Sequence, residues 1–398
     1  YVGDSFILVK INTSIRLEEK ETFTSEQLKE NDLAIAELID FIKSGDAILM
    51  AGAGCSGSLF PAWGAFVDKL EEAALQVDSN FTADKTKFLS FADKVKECLQ
   101  NDRYYNLIFD TFQPGDTTHL PFHEALCRLP FKAITTTNYD LVLEHAFTAV
   151  SGTRIDSLHF EGTTKTKIHK FLRSLNFNKN LKKMIVHLHG TYDTEDSIVL
   201  GGKEYSSKYG FGLDENEDTL LDQLQTGEIS EDRLKELLIK YGYEWPMRRK
   251  LLWSLLATRR IVFLGFSMSD PYFIKMLDFV KSDLSTYNSD SHFLILRVTP
   301  SQIAKAVEQA ARLRSEYGIR TVFFEDEDGQ YPGMGKFVSE IENAINGASR
   351  PVATAIRAVS EAVPVGNKEL TDKLFSLSKA PRRHRPRSSR SAVGRPRA

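Results

Sequence analysis

Cysteine is scarce in this chain. Cys55, Cys98 and Cys127 are an odd number with no C-x-x-C pair, which leaves neither a disulfide framework nor a four-cysteine zinc site. No apolar run approaches the about 18 residues that cross a bilayer, and the N-terminus shows no secretory leader. Phe6-Ile7-Leu8-Val9 is too short to span and reads as an edge strand. These absences point to a reduced, cytoplasmic protein without a membrane segment. Charge of one sign is also missing: the net charge is −3, yet the last 18 residues, from Pro381, hold seven arginines and no acid. The acidic body that remains argues against a nucleic-acid surface spread over the chain. The basic tail is either an arm that touches nucleic acid or a dispensable terminus, and its composition predicts disorder.

What is present is ordinary globular material, 42% apolar and 26% charged over 398 residues, with volume for a large core. Ala47–Ala51 is a short apolar run ending in glycines, and a helix is expected from Pro61 with Trp63, Phe66, Val67, Leu70 and Ala74 on one face. Strand, glycine turn, helix is the opening unit of a doubly wound sheet. Further buried strands are expected at 133–136, 184–188, 261–264, 293–298 and 321–324. The helices after the last three have clear apolar faces: Phe273, Met276, Leu277 and Val280; then Ile303, Ala306, Val307 and Ala310, with Thr299 as N-cap and Pro300 at N1; then Phe337, Val338, Ile341 and Ile345. The fold class is therefore α/β, a Rossmann-like, doubly wound, mostly parallel sheet. Helical stretches near 66–127 and 203–257, the latter with Leu234, Leu237, Leu238 and Tyr241 after the cap Ser230, read as an inserted helical subdomain. The expected organisation is an N-terminal extension (1–45, edge strand and helix), a nucleotide-binding catalytic domain (46–348), a helical segment (349–380) and a basic tail (381–398).

Four motifs sit at predicted strand tips. Gly52-Ala53-Gly54-Cys55-Ser56-Gly57 fits G-x-G-x-x-G, whose backbone N–H groups, with Ser56, suit a diphosphate; the alternative is a tight turn with no ligand. The acidic residue that a dehydrogenase needs at the end of the next strand is missing, because Asp68, Glu71 and Glu72 fall on the first helix. Asn138 and Asp140 in Thr137-Asn138-Tyr139-Asp140 offer an amide to ribose hydroxyls and a carboxylate to a carboxamide N–H, or one of them caps the next helix. His187 and His189 are spaced to share one side of a strand, and Gly190 ends that strand and opens room for a ligand. A metal at His187-x-His189 with Asp193 lacks further ligand pairs, so no metal is expected. In Gly265-Phe266-Ser267-Met268-Ser269-Asp270-Pro271, Gly265 permits close approach, Ser267 suits a phosphate or ribose, and Ser269 or Asp270 can cap a helix started by Pro271.

In order and in combination these motifs, from about Asp46 to Phe324, resemble the sirtuin-like (SIR2-like) fold. They are closer to the bacterial branch that hydrolyses NAD in anti-phage defence than to the protein deacylases. The resemblance implies that Gly52, Ala53, Gly54 and Ser56 form the diphosphate loop, that Asn138 and Asp140 lie beside the nicotinamide ribose and nicotinamide, that His189 is the catalytic histidine, and that Gly265 and Ser267 hold the adenosine side. Trp63, where the deacylases carry a P-D-F-R-like run, joins the cofactor-binding set. The deacylases' paired C-x-x-C zinc module is missing, which makes water the expected acceptor. The implied function is NAD hydrolysis to nicotinamide and ADP-ribose, with NAD as substrate. His189 would take a proton at a pKa suited to neutral pH, Asn138 would orient water and ribose, and Asp140 would hold the carboxamide. The implied setting is a homo-oligomer released by an activating partner such as a motor ATPase, an Argonaute-type protein or a phage protein. An NAD-dependent deacylase and a catalytically silent nucleotide sensor or scaffold are the alternatives.

Overall fold

Ile48–Ala51 (β1), Ala133–Thr136 (β2), Asp156–Leu158 (β3), Met184–His187 (β4), Ile261–Leu264 (β5), His292–Val298 (β6) and Ile319–Glu325 (β7) pair into one sheet in the order β3-β4-β2-β1-β5-β6-β7. Every pairing is parallel. The computed structural model describes residues 23–158, 160, 165–176, 183–210, 230, 245–268, 270–284, 292–326 and 332–347. The expected strand at 6–9, the helix around Leu234 to Tyr241, the segment 349–380 and the tail 381–398 lie outside these residues.

The strands read as uniform apolar runs because both faces of the sheet are covered. Alternate residues go to opposite cores: Ile48 and Met50 join one, Leu49 and Ala51 the other. On the first face pack Lys165–Ser174 (α6), Gly202–Tyr209 (α7), Met247–Thr258 (α8), Pro271–Leu284 (α9) and Ile303–Tyr317 (α10). On the second pack Ser25–Lys43 (α1), Pro121–Arg128 (α4), Val142–Ser151 (α5) and Pro332–Ile345 (α11). Helices on both faces make the sheet doubly wound.

Trp63–Val77 (α2) and Phe88–Phe112 (α3) build a separate small core from Phe66, Leu70, Phe91, Val95 and Ile108, joined to the sheet through Tyr139, Ile198 and Leu200. The second of these helices is broken at Gln100, which has φ 62°. Lys96, on its first half, reaches Tyr105 on its second half and Glu204 on α7, at 2.8 and 2.7 Å.

Two helix starts differ from the sequence expectation. The helix expected from Pro61 begins at Trp63. The helix expected after Thr299 begins at Ile303, because Gln302 N–H closes a turn on the Thr299 carbonyl and Gln302 itself stays outside helical geometry. Pro300 therefore occupies the second position of a turn, which its fixed φ suits equally well.

The strand order reverses about β1, so the loops after β1 and β5 flank the switch point where α/β sheets bind ligands. These two loops touch backbone to backbone. Gly52 N–H donates to the Leu264 carbonyl and Gly54 N–H to the Gly265 carbonyl, both at 2.9 Å. A Cβ on Gly52 would lie 2.5 Å from the Gly265 oxygen, and one on Gly265, at φ +65°, would lie 2.4 Å from the Cys55 nitrogen. Gly265→Ala therefore combines a left-handed backbone with a clash, each worth on the order of 1–3 kcal/mol. Urea unfolding should show a loss of at least about 2 kcal/mol; an unchanged midpoint would mean that the contact is not tight.

Candidate active site

A cleft of about 1800 Å³ opens over the C-terminal ends of β1, β2, β5 and β6, with His189 two residues beyond β4. It exceeds the roughly 300–1,000 Å³ of common small-ligand pockets. Gly52, Ala53, Gly54, Ser56, Trp63, Asn138, Asp140, His189, Gly265 and Ser267 all line it. The structure thus brings every candidate residue to one cavity, although several are engaged otherwise than expected.

The glycine loop is one such case. Besides Gly52 and Gly54, Cys55 N–H donates to the Gly52 carbonyl and Ser56 N–H to the Ala53 carbonyl. The donors expected to cradle a diphosphate are largely paired within the protein, and smallness at positions 52 and 54 is demanded by the β5 loop. Cys55 is buried with its Sγ on the Leu264 carbonyl; burial first and the Asp140 charge second push its thiol up to about 12, so it is a packing group and not a nucleophile. His123, which no sequence signal singled out, holds the loop from below. Leu120 N–H donates to its Nδ1, leaving Nε2–H to donate to the Cys55 carbonyl at 2.7 Å. Burial lowers its pKa to about 4, so it does this as a neutral ring.

Asn138 carries the most informative hydrogen bonds. Its Nδ2 lies 3.1 Å from the Gly52 carbonyl and 3.1 Å from Ser56 Oγ. A carbonyl only accepts, so the atom facing it must be the nitrogen, and the orientation of the amide is fixed. Oδ1 is then left buried without a partner among the described residues, in a residue that lines the cleft. Ser56 in turn donates to Asp140. The Asp140 Oδ1 also accepts from Val142 N–H at the start of α5, while the N-cap position itself falls to Leu141, so the carboxylate is tied to the helix start without being its cap residue. Burial, the largest influence, raises its pKa against these two hydrogen bonds.

His187 and His189 do not share a side. The strand ends at His187, whose ring turns to Glu144 on α5 (Nε2 to Oε1, 2.7 Å) and to the Asn138 carbonyl (Nδ1, 3.1 Å). Both neighbours are acceptors, so His187 fits best as an imidazolium with two N–H donors. Burial disfavours that charge, but Glu144 outweighs it and the His187 pKa rises; the Glu144 carboxyl, despite its own burial, is lowered by His187. This buried pair braces the Asn138 backbone.

His189 instead packs edge-on against Tyr205 and Tyr209 of α7, with ring centroids 5.3 and 6.1 Å away. Its turn is held by Arg248 of α8, which donates to the carbonyls of Leu188 and Ser197, both at 2.7 Å. Gly190, at φ +86°, is required because Ser197 fills the space a side chain would take, with its carbonyl oxygen 2.2 Å from an added Cβ. That space was expected to admit a ligand; it is closed by the protein's own backbone. Burial first, with Arg248 adding to it and Asp270 opposing, lowers the His189 pKa to about 4 rather than holding it near neutrality.

On the far side of the cleft, Asp270 caps α9 through the N–H groups of Tyr272 and Phe273 (2.9 and 3.2 Å), which bears out the capping reading of that motif. Ser267 is exposed and its carbonyl accepts from Gln309 at 3.2 Å. Trp63 is 47% exposed at the rim, 4.6 Å from the Phe88 ring. Tyr205, Arg248 and His123 were not legible as site residues, since tyrosine, arginine and histidine inside amphipathic helices carry no motif. Among the described residues, no group of His, Cys, Asp and Glu is placed to hold a metal ion, and no helix is long and apolar enough to cross a membrane.

Comparison with the curated proteins finds no match. The family described as SIR2-like domain matches residues 132–322, a span that runs from β2 into β7 and includes Asn138, Asp140, His189, Gly265 and Ser267. Over residues 132–322 the chain is similar to the SIR2-like domain, a similarity that supports an NAD-related function in general.

Proposed function

We propose that the chain hydrolyses NAD at the nicotinamide–ribose bond. The observation that carries this reading is the unpartnered Oδ1 of Asn138, a buried acceptor in a cleft that His189 also lines. A buried acceptor without a donor is unfavourable by about 1–3 kcal/mol, and a ribose hydroxyl or a water supplies the missing donor. The leaving group needs no acid: nicotinamide departs with the bonding electron pair as a neutral base, leaving an oxocarbenium-like centre at C1′. Water then adds its oxygen to C1′, and its proton passes to His189 and on to solvent. The sum is NAD and water giving nicotinamide, ADP-ribose and a proton. Asn138 orients the hydroxyl or water, and Asp140 sits beside it for the carboxamide. The loops after β1 and β5 face the remainder of the dinucleotide, with Trp63, Gly265 and Ser267 at the surface it would cross.

Such an activity is incompatible with constant operation in a cell, so the reading includes an off state: an NAD-depleting effector of anti-phage defence, released by an activating partner and built as a homo-oligomer. Cells expressing the chain alone should keep their NAD; a fall in NAD without any trigger would overturn the gating.

Purified chain incubated with NAD and its activator should release nicotinamide and ADP-ribose in equal amounts. His189→Ala and Asn138→Ala should each lower that release by on the order of 10²–10⁴. Wild-type turnover in both variants would remove the assignment. With the His189 pKa at about 4, its base form is present above that value and lost below it. The profile of kcat/KM should therefore be flat from pH 5 to 8 on the acid side and fall tenfold per unit below about 4. An acid limb near 6.5 would mean that the ring is solvated in the active form.

A further inference from the structure

The hydroxyl of Tyr205 lies between His189 and Asp270. It donates to Asp270 Oδ2 at 2.9 Å, and its oxygen is 3.4 Å from His189 Nε2. A hydroxyl has one proton, and here it goes to the carboxylate. The contact with the imidazole can then run only from Nε2–H to the tyrosine oxygen. Asp270 Oδ2, 3.8 Å from the same nitrogen, favours the same arrangement. Nδ1 is then the bare nitrogen of a ring that lines the cleft.

Every member of this chain is fixed from another direction. The Tyr205 ring is stacked on Tyr272 at 4.1 Å and 13°, and α7 is pinned by Lys96 on Glu204 and by Asp93 on the Lys203 N–H. Asp270 cannot turn away because its other oxygen caps α9. Burial raises the Tyr205 pKa well above that of a free phenol, so the proton stays on the oxygen. Both Tyr205 and Asp270 line the cleft with His189.

We propose that Asp270 and Tyr205 are positioning residues that fix the tautomer of His189, holding its proton on Nε2 and keeping the Nδ1 lone pair available as the base. The inference rests on the reading of His189 as the base for NAD hydrolysis, but its core is a statement about proton location that can be measured without turnover.

Asp270→Asn is the informative substitution. The asparagine Oδ1 still caps α9, while its Nδ2 must donate to the Tyr205 oxygen. The tyrosine proton is then turned onto His189 Nε2, and the imidazole is left with its proton on Nδ1, where it no longer acts as a base. In a hydrolase triad the same Asp-to-Asn change, through the wrong tautomer, lowers turnover by about 10⁴. Here kcat for nicotinamide release should fall at least ~100-fold, with KM for NAD within ~3-fold of wild type. Tyr205→Phe keeps the ring stack and removes the relay, so it should lower kcat by only ~10-fold. Adding Asp270→Asn to Tyr205→Phe should change kcat by less than ~3-fold, because nothing remains to carry the wrong instruction.

The measurement independent of catalysis is ¹⁵N NMR of the imidazole in wild-type and Asp270→Asn protein. Protonated Nε2 in the wild type and protonated Nδ1 in the variant are expected. Protonated Nδ1 in the wild type, or additive losses in the double variant, would overturn the relay. A wild-type protein that releases no nicotinamide with its activator present would instead defeat the hydrolase reading, while the NMR result would still decide the relay.

Discussion

The candidate cleft depends on one contact in which two backbones meet with no side chain between them. The loop after β1 leans on the loop after β5, with the Gly52 and Gly54 N–H groups on the Leu264 and Gly265 carbonyls. No Cβ fits at any of the three glycines. The contact fixes the position of the Gly52 carbonyl, which accepts from Asn138 and so decides which end of that amide faces it. The orientation of the Asn138 oxygen, which has no partner among the described residues, is thus set two steps away, by a packing constraint at the switch point of the sheet.

The same economy is seen around β4. His187 and His189 are two residues apart and have opposite characters because their surroundings differ. His187 lies between two acceptors, one of them a carboxylate, and is held charged. His189 lies on tyrosine rings with Arg248 nearby and is held neutral. The first braces the backbone of Asn138 and the second offers a lone pair. Had the strand continued through His189, both rings would have fallen on the Glu144 side. The end of the strand, with Gly190 fitted against Ser197, is what separates them.

The sheet was readable from sequence because its strands are buried on both faces, so each shows as an uninterrupted apolar run bounded by polar turns. β3 escaped because Asp-Ser-Leu has no such run; it is an edge strand ordered by its neighbour β4. The cleft-lining residues at strand tips were readable for a related reason, since Gly, Asn, Asp and Ser at the end of an apolar run are conspicuous. What they do there was less so. Glycine is required by ligand approach and by loop packing alike, and only the structure shows that Gly52, Gly54 and Gly190 answer to packing. Tyr205 and Arg248 were hidden because a helix of ordinary amphipathic pattern gives no sign that one of its polar atoms reaches 16 or 60 residues away.

A histidine whose pKa is lowered to about 4 is a weak base, and whether that suits the proposed reaction depends on when the proton moves. If deprotonation of water had to precede bond cleavage, a pKa near 7 would be favoured. In the dissociative course the nicotinamide bond breaks first, and water bonded to an oxocarbenium-like carbon becomes strongly acidic as it adds. A weak base suffices for that proton, provided that it is unprotonated and correctly aimed at the moment of attack. Burial ensures the first condition across the physiological range, and the tyrosine and aspartate beside the ring secure the second. Low basicity then has a further use, because the proton is released readily to solvent.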